Sequence, residues 1–66
     1  MDRIIYVLRY RDKEIDEICF KRYIRIDIAH RALKTLGKEK NIELINLSRF
    51  DINKHKGEII ESYGNE

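Results

Sequence analysis

Hydrophobic positions along this chain form two strand-like runs near the N-terminus and then change to a helical spacing. The first run, Ile4-Ile5-Tyr6-Val7-Leu8-Arg9-Tyr10-Arg11, is continuously apolar from Ile4 to Leu8. Continuous apolar runs belong to strands covered on both faces, whereas half-exposed strands alternate. A second strand is predicted over Ile15-Asp16-Glu17-Ile18-Cys19-Phe20-Lys21-Arg22-Tyr23. With Asp12-Lys13 as a two-residue turn, Arg11 faces Glu14, Arg9 faces Asp16, Val7 faces Ile18 and Ile5 faces Phe20. Two opposite-charge pairs and two apolar pairs then share one face, which favours that antiparallel register. A one-residue slip sets Ile5 against Lys21 and is worse. The opposite face carries Ile4, Tyr6, Leu8, Tyr10, Ile15 and Cys19, interrupted by Glu17 and Lys21.

A helix follows. Ile28, Ala29, Ala32, Leu33 and Leu36 make a stripe at helical spacing, the mark of one buried face. Asp27 is the expected N-cap and also lies four residues before Arg31, a spacing that suits an ion pair. Gly37 can end the helix. The helix formers around Gly37 instead favour continuation through Lys38-Glu39-Lys40 to Asn41. Residues 42–47 predict a third strand, extendable through Phe50 and Ile52. Residues 53–57 read as a loop in which Gly57 supplies a positive φ. Residues 58–63 then form a fourth strand, with Phe50 against Ile60 and Arg49 against Glu61. A short helix capped by Ser48 is the alternative for Phe50 and Ile52. The tail Gly64-Asn65-Glu66 is expected to fray.

The pattern predicts a single α+β domain over residues 1–66. It is a small antiparallel sheet of three to four strands with one helix packed on a face, in the order ββαββ. One helix covers one face of a sheet, so the other face of the first hairpin needs a different cover. Charge register gives the helix the Ile5, Val7, Ile18 and Phe20 side. That leaves Ile4, Tyr6, Leu8, Tyr10 and Ile15 as the candidate protein-binding residues. The C-terminal hairpin is the competing internal cover, and reversing the two faces would swap their roles.

Composition narrows the function classes. The chain has 66 residues, so its core is thin. Fourteen Lys and Arg against twelve Asp and Glu leave a net charge of +2, with the signs interleaved. That pattern suits a solvated surface better than a nucleic-acid footprint. Cys19 is the only cysteine, which excludes a disulfide within these residues and suits a reducing compartment. No apolar run approaches the ~20 residues needed to span a bilayer. Met1-Asp2-Arg3 leads directly into a strand instead of a signal-like segment. A cytoplasmic location is expected.

Chemistry-bearing motifs are sparse. His30, His55 and Cys19 lack the close spacing of structural zinc sites, so no metal is expected. The glycines are dispersed at positions 37, 57 and 64, which gives no phosphate loop. The acidic pairs Glu14 with Asp16 and Glu58 with Glu61 are explained as partners of neighbouring arginines. Neither catalysis nor a cofactor is expected. Arg31, Lys34 and Lys38 share a helical ridge, and Lys21, Arg22 and Arg25 cluster ahead of it. These six are the alternative, nucleic-acid-binding set. The primary expectation is a non-catalytic protein-binding module, such as an inhibitor, adaptor or regulator of the kind mobile elements carry. Its expected partner is another protein or a second copy of itself.

Overall fold

The computed structural model describes residues 3–63. Strands β1 (Ile4–Asp12), β2 (Glu17–Tyr23), β3 (Ile42–Asp51) and β4 (Lys56–Ser62) form one antiparallel sheet with helix α1 (Ile26–Leu36) between β2 and β3 in sequence. The spatial order is β2-β1-β3-β4. The expected α+β fold and ββαββ order are present, with all four strands in one sheet. The C-terminal hairpin therefore extends the sheet sideways and does not fold across it. The expected fraying of Gly64-Asn65-Glu66 lies outside the described residues.

Both hairpins are built the same way. Each strand ends in an aspartate, Asp12 or Asp51, followed by a four-residue turn. Asp12 Oδ1 accepts the Glu14 N–H at 3.0 Å, and Asp51 Oδ1 accepts the Lys54 N–H at 3.2 Å. Short acidic side chains commonly stabilise turns in this way. The last turn residue, Asp16 or His55, takes a positive φ of 56° or 54°. Gly57 lies inside β4 without a positive φ, so His55 and not Gly57 supplies the left-handed position.

The longer first turn changes the cross-strand partners. Arg11 pairs with Ile18, Arg9 with Phe20 and Val7 with Arg22, in place of Glu14, Asp16 and Ile18. The shift is even, so each residue keeps its expected face. In the second hairpin Phe50 pairs with Gly57 and Arg49 with Glu58, in place of Ile60 and Glu61. Bulges fall between Arg9 and Tyr10 on the β1–β3 ladder and between Leu47 and Ser48 on the β3–β4 ladder.

The helix packs on the face opposite to the one expected. Leu8, Tyr10 and Leu47 of the sheet and Ala29 and Leu33 of α1 form the buried core. Tyr6, Cys19, Tyr23, Ile26, Leu36, Leu44 and Tyr63 pack around it. Leu8 and Leu47 are cross-strand neighbours and fully buried. Helix α1 starts two residues before the expected Ile28, with Arg25 at the N-cap and no side-chain cap bond. Asp27 sits in the first turn and accepts a hydrogen bond from Arg25 Nε at 3.1 Å. The helix stops at Leu36, and the Gly37 N–H closes onto the Leu33 carbonyl at 2.8 Å. It does not continue to Asn41, because Asn41 is held at the first turn. The Asn41 carbonyl accepts the Lys13 N–H at 2.7 Å, and Asn41 Nδ2 donates to Asp12 Oδ1 at 3.3 Å.

Candidate binding surface

Alternation along each strand sorts the sheet into two faces. The helix-covered face holds Tyr6, Leu8 and Tyr10 of β1, Cys19, Lys21 and Tyr23 of β2, and Leu47 and Arg49 of β3. The open face reads as four rows across the strands. Ile5 neighbours Phe50, which neighbours Gly57. The next row runs Arg22, Val7, Ser48, Ile59. The third runs Phe20, Arg9, Asn46, Ser62, and the fourth Ile18, Arg11, Glu43.

The expected protein-binding set does not form a surface. Leu8 is 0% exposed and Tyr10 9%, both beneath the helix. Tyr6 packs at the core's edge, Ile4 is half-buried at the strand's start and Ile15 is exposed on the turn. Ala29 and Leu33 pack on Leu8, Tyr10 and Leu47 at the centre of this face, whereas β1 places Arg9 and Arg11 on the other. Burial raises the Tyr10 phenol above its usual pKa, with Cys19 adding to the effect, and burial alone raises Tyr23.

The roles of the two faces are reversed. Phe20 is 61% exposed, Ile59 61% and Ile18 43% on the open face, with Ile5, Val7 and Phe50 half-buried beside them. The Phe50 ring lies over Gly57, where a Cβ would meet the ring at 2.9 Å. The Arg9 guanidinium stacks 5.7 Å from the Phe20 ring centroid, within cation–π range. Arg11 donates to Asp16 from the first turn and lies 4.0 Å from Glu43. The hydrogen bond to Asp16, with its charge, raises the Arg11 pKa above its ordinary value. The strand residues on this face include three arginines and no lysine. Interface cores favour aromatic residues and arginine and disfavour lysine.

The alternative basic set is divided. Lys21 and Arg22 are consecutive in a strand and point to opposite faces. Lys21 and Arg31 line a groove with Tyr23, Ile28 and Leu36 between β2 and α1. Arg25 is engaged by Asp27 at 3.1 Å. Lys34 lines a second groove beside His30, Glu61 and Tyr63. Lys38 lies beyond the helix end in the following turn.

One side-chain constellation was missed by sequence reasoning. His30 Nε2 lies 2.9 Å from Glu61 Oε2, and the Tyr63 hydroxyl donates to Glu61 Oε1. It ties α1 to β4, and its members are 31 residues apart in sequence. Glu61 is therefore not the expected partner of Arg49; that partner is Glu58, at 3.6 Å. The hydrogen bonds from Tyr63 and His30 lower the Glu61 pKa. Burial, then the bond to Glu61, pushes the Tyr63 phenol far above its usual range.

Among the described residues no group of three or more His, Cys, Asp or Glu could hold a metal. No helix among them is long and apolar enough to cross a membrane. Comparison of the chain with protein-family models, with curated proteins and with solved structures gives no match.

Proposed function

We propose that this chain is a non-catalytic protein-binding module that works through the open face of its sheet. The carrying observation is the composition of that face. Ile18, Phe20 and Ile59 stand exposed among three arginines and no lysine. A soluble monomer has little reason to keep such a patch uncovered. Arginine stacked on phenylalanine gives a rigid amphipathic anchor, the kind of residue pair that dominates binding energy at protein interfaces.

The helix side offers a smaller surface: most of its apolar residues pack the core, and the groove beside Ile28 and Ala32 is flanked by Lys21 and Arg31. Immobilised protein should retain a defined protein partner, itself included. The Phe20→Asp variant should lose that partner while keeping its far-ultraviolet circular dichroism. Equal retention by Phe20→Asp, together with loss in Arg31→Glu, would move the binding site to the helix and overturn the reading.

A further inference from the structure

We propose that the open face is closed by a second copy of this chain, the two sheets stacked about a twofold axis that runs along the strands between β1 and β3. This rests on the reading of that face as protein-binding and names its occupant.

The molecule is more open than a compact chain of its size. It exposes 5298 Å² at 8.0 kDa, where a compact monomer of that mass exposes about 4,450 Å². Its radius of gyration is 12.2 Å, against about 10.8 Å for a compact chain of this length. The extents of 39 × 22 × 19 Å describe an elongated body, and α1 covers one face of its sheet.

The rows on that face are self-complementary about this axis. A twofold along the strands sets β1 over the partner's β3, and β2 over its β4, with each row kept at its own level. Ile5 then meets Phe50, Val7 meets Ser48, Arg9 meets Asn46 and Arg11 meets Glu43. Phe20 lies over Ser62 and Arg22 over Ile59. Basic residues occupy the β2–β1 half of the face, and the Glu43 carboxylate and Asn46 amide oxygen occupy the β3 half. No arginine therefore opposes an arginine. Arg22 lies in the outermost column, where a long side chain keeps its charge in water. An axis across the strands would instead set Arg11 on Ile5 and Glu43 on Phe50, which strands two charges on apolar groups. Aligned stacking with sheets about 10 Å apart is an established geometry for two such faces.

Other occupants fit less well. A single-stranded nucleic acid needs free ring faces and uncompensated cations. Here Phe50 lies on Gly57, Phe20 carries Arg9, and Glu43 lies in the same face.

Sedimentation equilibrium on the full chain tests the proposal. The expected result is a reversible dimer that Val7→Asp and Phe20→Asp convert to folded monomer. Spin labels on Lys54→Cys in a Cys19→Ser background then test the axis. Both β3–β4 turns lie at one end of the dimer, so the label separation should be well below the 39 Å length of one molecule. A separation near or above that length overturns this axis. A dimer indifferent to both aspartate variants overturns the open-face interface. A strict monomer overturns the dimer. In that case, a foreign protein released by Phe20→Asp would leave the broader binding reading standing, and indifference to Phe20→Asp would remove both. Salt-sensitive oligonucleotide binding by a strict monomer also counts against a second copy.

Discussion

At the residue scale, two leucines centre the core. Leu8 and Leu47 are fully buried, oppose each other across β1 and β3, and each lies four residues before the aspartate that ends its strand. With few other buried residues, the core has little redundancy. Leu8→Ala should cost about 2–5 kcal/mol, the range for a buried leucine truncated to leave a cavity. A domain this small has little stability to spare, so Leu47→Met is the informative companion, expected to cost under about 1.5 kcal/mol. Urea denaturation followed by circular dichroism measures both; equal midpoints for Leu8→Ala and wild type would displace Leu8 from the core. The positive φ at His55 gives a prediction of opposite sign. A left-handed conformation costs a β-carbon-bearing residue about 1–2 kcal/mol, partly offset by the greater chain entropy of glycine when unfolded. His55→Gly should therefore raise the urea midpoint slightly. Asp16→Gly should not, because Asp16 also holds Arg11.

At the element scale, the Glu61 tie between α1 and β4 has a definite pH signature. Glu61 has a folded pKa below its unfolded value. Its contribution is thus present above the ordinary carboxylate range and is lost as pH falls through the lower folded value. Tyr63 acts in the opposite direction. Its folded pKa lies above the ordinary 10.0, so its contribution is complete below that value and is lost as pH rises through the folded one. Glu61→Gln should lower the Tyr63 pKa, followed by its ring NMR resonances, while the part due to burial persists. An unchanged Tyr63 titration would show that Glu61 is not its partner. This tie also marks how far the sequence is legible. The kinds and order of the elements follow from hydrophobic period, so five elements in the order ββαββ could be read directly. Strand partners depend on turn length, and a four-residue turn preserves the faces of a two-residue one while moving every pair. His30 with Glu61 is a tertiary contact with no local signal. Of the helical stripe, Ile28 and Ala32 line the groove between β2 and α1, while Ile26, outside the stripe, packs on the core. The choice of face did have a signal. Arg9, Arg11 and Arg22 share one side of the sheet, whereas β1 places Tyr6, Leu8 and Tyr10 on the other. Pairing those arginines with acids made their side look ready to bury. Covering even paired guanidinium groups with a helix costs more than covering tyrosines.

At the scale of the whole molecule, one helix of 11 residues is about 16 Å long, under half the 39 Å length of the body. It touches β1, β2 and β3. The β4 strand is exposed along its whole length, including Ile59 and Ile60. Covering from one side therefore leaves β4 secured by its ladder to β3, the Glu61 tie and little else. If the second copy supplies the missing layer, folding and association are linked, and the dimer's stability depends on protein concentration. Stacking opposite Ile5, Val7 and Phe50 would add apolar burial at about 25 cal/mol per Å² removed from water, before the entropy of association is subtracted. The expected outcome is a melting temperature that rises with each tenfold increase in wild-type concentration. It should stay flat and low for Val7→Asp across the same series. Differential scanning fluorimetry can make the measurement, with circular dichroism confirming a common folded baseline. A wild-type melting temperature independent of concentration would show that the single chain is stable on its own, and that the thin core with its Leu8–Leu47 centre suffices.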